Sequence, residues 1–243
     1  MITSYVRSGL MSHFPKIIQD LGYDPDMIFA EAGIDLDSLT GVESLVPPVI
    51  TDRLLQVAEK KTQCEHIGLL MGVSISLEGL GPIILMMQAA PTFREAIEEN
   101  IKYLKVSFQG IERELHVYHD AAYISNRLKH GEFENSKAAI QMIVATLWRV
   151  CNLTTNNRWH AREICFTFDE PKDTSVYAHL FKTPVKFSAN FNGIVFNAID
   201  LEFKAIVEKV KAESHEVTGN SDKMTYNTRR TDATGAGEVD YQR

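Results

Sequence analysis

Apolar residues recur at three- and four-residue intervals through most of the first 107 positions, which is the period of an amphipathic helix. The clearest case begins at Thr92-Phe93-Arg94-Glu95, which directly follows Pro91 and has the form of a capping box. This pattern predicts helices over 4–21, 24–33, 51–62, 66–71 and 92–107. The N-terminal segment is therefore expected to be helical.

The hydrophobic period changes from 3.6 to 2 after residue 110. The stretches 111–118 and 121–128 both alternate and are separated by a turn at Asp120, which predicts a β-hairpin. One face of this hairpin is polar. The other face of its first strand carries Arg113 among three apolar residues, Ile111, Leu115 and Val117.

Both apolar periods occur in the rest of the chain. Their spacing predicts a helix over 136–153, a strand over 164–168, a helix over 173–181, a closing hairpin of 185–189 with 194–198, and a helix over 201–216. Separate runs of helix and antiparallel strand indicate an α+β fold, with an N-terminal helical segment followed by a mainly antiparallel sheet with packed helices. We assign residues 1–216 to one domain and the polar residues 217–243 to a disordered tail.

Charge and hydropathy narrow the class of protein. The chain has 243 residues and a net charge of −7, whereas a protein that binds nucleic acid on its own usually has a basic surface. The longest apolar run, Leu80–Met87, is much shorter than the roughly 20 residues that span a bilayer. The N-terminus also lacks a secretory signal. We expect a cytoplasmic protein without membrane contact, and we interpret the apolar run as a buried helix.

Familiar catalytic and cofactor motifs, including the P-loop, GxGxxG, HExxH and GxSxG, do not occur in the sequence. Cys64, Cys151 and Cys165 are widely spaced and form no CxxC pair, so neither a disulfide framework nor a zinc site is predicted. His116 and His119 are three apart near a strand end, where that spacing directs them to opposite faces. We predict no catalytic residue, no metal and no cofactor, and an enzyme is the weakest hypothesis.

Aromatic residues from several predicted elements are candidates for the wall of a ligand pocket. An arginine that projects from a strand into such a pocket would suit a small amphipathic or acidic ligand. An ordinary core with surface arginines is the alternative, and the sequence leaves both open. The predicted ligand-binding residues are Tyr103, Phe108, Arg113, Tyr123, Arg127 and Trp148.

Several phrases, in their order and spacing, carry a family resemblance. They are Leu21–Ile34, Arg53–Ala58, His66–Gly72, Leu80–Met87 with Ala90–Ala96, and Phe181–Phe187 with Asn192 and Phe196. Over roughly residues 4–205 the sequence resembles the N-terminal effector domain of AraC/XylS-type bacterial transcriptional regulators, in the subgroup known as the arabinose-binding domain.

The resemblance implies a domain that senses an unknown small-molecule effector and forms a homodimer. In that family DNA is bound by a C-terminal module with two helix-turn-helix motifs. The residues of that module have no counterpart in this sequence, so we do not expect the chain to bind DNA on its own. An alternative is a truncated, standalone interaction protein that heterodimerises with full-length regulators. For the sensor, we expect a cavity between the helical front and the strand-rich back of the fold.

Overall fold

The computed structural model describes residues 5–35, 45–107, 110–129 and 136–204. Within these ranges the helices are α1 Phe14–Asp20, α2 Pro25–Ala32, α3 Pro48–Thr62, α4 Ile67–Ser74, α5 Leu77–Leu80, α6 Pro82–Ala89, α7 Phe93–Ser107, α8 Lys137–Thr154 and α9 Ser175–Phe181. The strands are β1 Val6–Arg7, β2 Leu45–Val46, β3 Ile111–Val117, β4 Ala121–Leu128, β5 Ala161–Cys165, β6 Val185–Lys186 and β7 Asn192–Asn197. The predicted tail, Phe108 and most of the predicted helix 201–216 lie outside the described residues, whereas 198–202 form a short 3-10 helix.

The α+β class is confirmed, but the first predicted helix is wrong. Residues 4–21 do not form one helix: β1 pairs with β2, a 3-10 helix covers Ser8–Met11, and α1 begins only at Phe14. Pro15 explains the late start, because proline lacks an N–H and its ring clashes with the carbonyl group four residues before it. In the first turn of α1 neither problem arises.

The predicted helix start at Asp24, the helix end at Gly33 and the N-cap at Thr92 are confirmed. The Asp24 carboxylate accepts a hydrogen bond from the Asp26 N–H at 3.0 Å, and Gly33 ends α2 with a φ of 67°. The Thr92 hydroxyl accepts a hydrogen bond from the Glu95 N–H at 3.3 Å. This cap fixes the start of α7, the helix that leads to the sheet.

The main sheet has five strands in the order β3-β4-β7-β5-β6. The hairpin of β3 and β4 is confirmed, with Arg113 opposite Asn126 in the register. β7 pairs antiparallel with both β4 and β5, and β6 pairs parallel with β5. The sheet is therefore mainly antiparallel, as expected, with one parallel pair at its edge.

The predicted closing hairpin of 185–189 with 194–198 is wrong. β5 lies between β6 and β7, so the two strands are not neighbours. Backbone groups on both sides of β7 already bond to β4 and β5, which leaves no edge of β7 for β6. The segment after β6 continues along β5 instead, and the Ser188 and Ala189 N–H groups donate to the carbonyls of Phe168 and Phe166.

Helix α8 lies at the centre of the molecule. One side of it contributes Val144, Leu147 and Cys151 to the core beneath the sheet, together with Phe93 of α7. Its other side contributes Ala138 and Met142 to a second core with α1, α2, α3 and α4. The sheet and the N-terminal helices thus share one packed helix.

The contact between α4 and α8 depends on two glycines one helical turn apart. A methyl group on Gly68 would overlap the carbonyl oxygen of Ala138. A methyl group on Gly72 would lie 2.6 Å from the Cβ of Ala145. The backbones of the two helices therefore approach too closely for any larger side chain at either position.

The apolar run Leu80–Met87 is buried on one side only, which corrects the prediction of a buried helix. Ile83, Ile84 and Met87 are buried, whereas Leu85 and Met86 are 64% and 41% exposed. The reason is that α6 packs one face against α7 and α8. Within the described residues, no helix combines the length and the apolar character that crossing a bilayer requires.

Candidate ligand-binding site

A partly enclosed cavity of about 110 Å³ lies where the N-terminal helices meet the sheet layer. Its wall combines residues of β1, α3, α5 and α6 with residues of α7, α8 and β3. The cavity lies between the helical front and the strand-rich back, where the sequence analysis expected one. Most of its wall is apolar and includes Leu10, Ile75, Leu80, Ile83, Ile143 and Leu147.

Local periodicity explains which side chains reach this cavity. On α8, Ile143, Leu147 and Val150 follow the i, i+4, i+7 spacing that places them on one helix face. On α7, Asn100 and Tyr103 are one helical turn apart and share the side that faces α8 and β3.

Two arginines, Arg7 and Arg113, line the cavity, and Arg113 is the buried one, with 9% of its surface exposed. Alternation along β3 places it on the inner face of the sheet. Its Nε–H donates to the Oδ1 of Asn126 at 2.7 Å, and its Nη1 donates to the Oδ1 of Asn100. These two bonds anchor one side of the guanidinium to β4 and α7.

A chain of buried polar groups continues on both sides of Arg113. Because a guanidinium can only donate hydrogen bonds, both asparagines turn their carbonyl oxygens towards it. Their amide nitrogens then face away. Asn126 donates to the Asn192 carbonyl at 3.4 Å, and Asn100 donates to the sulfur of Met87 at 3.4 Å. The network therefore links α6, α7, β3, β4 and β7.

No ion pair compensates the charge of Arg113 within the described part of the chain. Burial lowers the pKa of Arg113 to about 10, so it is still protonated at neutral pH. Cys151 is the titratable group that acts on it, but burial raises the pKa of this thiol to about 12. A neutral thiol supplies no counter-charge.

The structure brings only some of the predicted ligand-binding residues together. Tyr103 and Arg113 line the cavity, whereas Phe108 is outside the described residues. Trp148 packs edge-on against Phe181, with ring centroids 5.6 Å apart, and does not line the cavity.

Tyr123 and Arg127 lie on the outer face of the sheet. Tyr123 stacks on His116 with ring centroids 4.3 Å apart. Arg127 forms an ion pair with Glu112, and 78% of its side chain is exposed. A ligand-binding role for any of the six residues remains a prediction, and the cavity groups only Tyr103 and Arg113.

Sequence reasoning missed Asn100 and Asn126. The signal was present, since Asn100 occupies a position of the apolar stripe that includes Phe93 and Ile97. Asn126 likewise alternates with Ala122 and Ile124 on the buried face of β4. A polar residue at a core position of an amphipathic element requires a hydrogen-bond partner, and here both asparagines share Arg113.

The two remaining cysteines are also thiols rather than thiolates at neutral pH. Burial raises the pKa of Cys64 to about 11 and that of Cys165 to about 12. A reactive cysteine instead needs a lowered pKa. Among the described residues, no group of three or more His, Cys, Asp and Glu side chains is placed to hold a metal ion.

Comparison with known proteins identifies the family. The model of the N-terminal arabinose-binding domain of AraC transcription regulators matches residues 22–204. Because this match covers well over half of the sequence, the chain belongs to that family, which consists of transcription-regulator domains and is not an enzyme class.

A solved structure supports the same fold. The crystal structure of the transcriptional regulator CdpR from Pseudomonas aeruginosa is similar, with a TM-score of 0.55 at 15% sequence identity. The similarity covers 77% of this chain and 56% of that chain, so this chain spans little more than half the length of that regulator. No curated protein matches the chain.

Proposed function

We propose that this chain is the effector-sensing part of an AraC-type transcriptional regulator and that its cavity binds the effector. The observation that carries the proposal is the cavity itself, which has a mostly apolar wall and a few converging polar groups. That composition is typical of small-molecule sites in proteins. Membership of the family supports the same assignment.

The position of the cavity offers a physical route for signalling. Its wall joins β1 and α3 of the N-terminal segment to β3 of the sheet, and α8 contacts both layers. A ligand that fits one relative placement of these elements better than another would shift their equilibrium by its difference in affinity. In this proposal the effector acts by changing how the helical segment packs on the sheet.

Self-association and DNA binding complete the proposal. We expect the chain to form a homodimer and the regulator to contact DNA through a helix-turn-helix module of the kind found in the family. Sedimentation velocity of the chain with and without effector measures the first expectation. A monomer at all accessible concentrations would contradict it.

The sensor proposal is tested by thermal shift with a broad panel of small acids, amides, amines and sugars. A ligand present at 100 times its Kd stabilises the folded state by about 2.7 kcal/mol. Ile143→Phe places a ring in the cavity, so we expect this variant to lose the shift. Ile140→Phe is the matched control, because it lies one turn earlier on α8 and does not line the cavity.

Two outcomes would contradict the sensor proposal. In the first, no compound class in the panel raises the melting temperature of the unaltered chain. In the second, a compound stabilises the chain and its effect is the same in both phenylalanine variants, which would locate its binding elsewhere.

A further inference from the structure

We propose that the effector is a small monocarboxylic acid with an apolar body, and that its carboxylate pairs with Arg113 inside the cavity. This inference rests on the proposed function and names the chemical class of ligand. It also separates Arg113 from Arg127, since the sequence offered either arginine as the acid-binding group.

Arg113 has no counter-charge within the described part of the chain. Charged side chains are almost never fully buried unless they are paired, because removing a charge from water is costly. Arg113 is buried and protonated, and within the described residues its hydrogen-bond acceptors are two neutral amides. An anion in the cavity would supply the charge that the chain itself does not provide there.

The guanidinium of Arg113 is held on one side by two asparagines. Asn126 takes the Nε–H and Asn100 takes one N–H of Nη1. No other hydrogen bond of Arg113 forms within the described part of the chain, and the residue lines the cavity. The remaining N–H groups of the rigid fork are therefore available for a carboxylate, which arginine binds through two parallel hydrogen bonds.

The wall of the cavity suits an anion with an apolar body. The chain has a net charge of −7, yet none of the described residues that line the cavity is Asp or Glu. Such a wall repels no anion, and its apolar surface matches an apolar body. Arg113 is the buried arginine of a wall that Arg7 also lines, and one guanidinium balances the single charge of a carboxylate.

Size and a second polar group add further detail. A cavity of about 150 Å³ in an engineered protein holds benzene, so a cavity of 110 Å³ fits an acid whose apolar body is smaller than a benzene ring. Thr51 also lines the cavity, and its buried hydroxyl has no hydrogen-bond partner among the described residues. A ligand with one additional donor or acceptor would satisfy it.

The test uses matched acids and amides on the full chain. Butanoate, 3-methylbutanoate and cyclobutanecarboxylate are each compared with the amide of the same skeleton by isothermal titration calorimetry at neutral pH. At least one acid should bind about tenfold or more tightly than its amide, because a hydrogen bond to a charged group is worth about that factor. This comparison needs no variant, so it remains decisive if substitution at Arg113 prevents folding.

Arg113→Gln and Arg127→Gln then locate the charge. Both substitutions remove one positive charge from the same hairpin, one inside the core and one on the outer face. We expect Arg113→Gln to remove the preference for the acid over the amide, whereas Arg127→Gln preserves it. Far-ultraviolet circular dichroism checks that both variants are folded.

The outcomes separate this inference from the function on which it rests. Amides that bind as tightly as their acids, in a manner that Ile143→Phe abolishes, would overturn the carboxylate inference and leave the sensor proposal standing. A preference for acids that disappears in Arg127→Gln instead would also overturn it. If neither acids nor amides nor any compound of the broad panel binds, the sensor proposal fails as well.

Discussion

The two sides of α8 are packed in opposite ways. On the side that faces α4, Gly68 and Gly72 bring the helix backbones so close that a single methyl group has no room. On the side that faces α7 and β3, Ile143, Leu147 and Val150 border a cavity of about 110 Å³. The same helix is therefore closely packed on one side and adjoins empty space on the other.

The cavity is therefore not a consequence of loose packing throughout the molecule. The α4–α8 contact is packed to its steric limit, and larger residues on the other side of α8 would have filled the cavity in the same way. The open side also carries the polar chain of Asn100, Arg113 and Asn126. An empty volume beside an uncompensated buried charge is costly to stability, which is the pattern expected where function opposes packing.

A substitution in the α4–α8 contact should destabilise the protein most. Gly68→Ala adds a methyl group that collides with the Ala138 carbonyl, and backbone cannot move aside as a flexible side chain can. We expect a loss of about 3 kcal/mol in the free energy of unfolding, at the upper end of the cost of overpacking. Urea denaturation followed by circular dichroism measures this loss.

Gly22→Ala is the control for that experiment. Gly22 has a φ of 84° but nothing within 4 Å of the added methyl group. This variant should therefore lose only the conformational cost of about 1 kcal/mol. Equal losses in the two variants would mean that the α4–α8 contact is less rigid than the structure indicates.

A substitution in the buried polar network on the open side of α8 should have an intermediate effect on stability. Asn126→Leu removes the acceptor of the Arg113 Nε–H and the donor to the Asn192 carbonyl. A buried group left without its partner costs about 1–3 kcal/mol, which denaturant unfolding resolves. The matched outer-face change, Arg127→Gln, breaks an exposed ion pair with Glu112 and should cost less than about 1 kcal/mol. The reverse order would mean that the buried network adds nothing to stability.

The smallest expected effect concerns pH at the start of α4, on the packed side. Burial lowers the pKa of His66 below 6.5, although the nearby Asp173 carboxylate partly opposes this. The unfolded chain then binds the proton more readily than the folded one, so stability is complete above 6.5 and is lost as the pH falls through that value.

His66→Gln isolates this contribution. Burial raises the pKa of Glu59 and of Asp200, and these carboxylates act with the opposite sign on acidification. Both proteins contain Glu59 and Asp200, so their effect cancels when the melting temperatures of the variant and the unaltered chain are subtracted at each pH. We expect the unaltered chain to lose more stability than the variant between pH 8 and pH 6. If the two melting temperatures change equally with pH, the pKa of His66 is not lowered by folding, which would contradict this prediction.

Much of the fold could be predicted from local patterns. Asp24, Gly33 and Thr92 marked helix ends through capping chemistry that depends on residues close in sequence. Alternation over 111–128 gave the hairpin and placed Arg113 on its apolar face. One wrong prediction was the helix over 4–21, because Pro15 cannot occupy a helix interior even where the apolar spacing is helical. The other was the hairpin in 185–198, because the neighbours of these strands come from distant parts of the chain.

The candidate site was less predictable, because it depends on which elements meet. The sequence did not show which of Arg113 and Arg127 lies on the covered face of the sheet. The structure shows that Arg113 is buried and that Arg127 is exposed. Trp148 and Leu147 are neighbours on α8, yet Trp148 packs on Phe181 whereas Leu147 lines the cavity. Adjacent residues on a helix diverge by about 100°, and only packing decides which of the two directions leads to a cavity.

Local spacing and ordered phrases in the sequence were enough to establish the family, the α+β class, the position of most elements and the place of Arg113 on the apolar face of its strand. The folded structure was needed to find the strand order, the cavity and the lack of an ion-pair partner for Arg113 among the described residues. This division arises because periodicity assigns a residue only to a face. Burial, free space and charge compensation depend instead on side chains that chain folding brings together from distant positions.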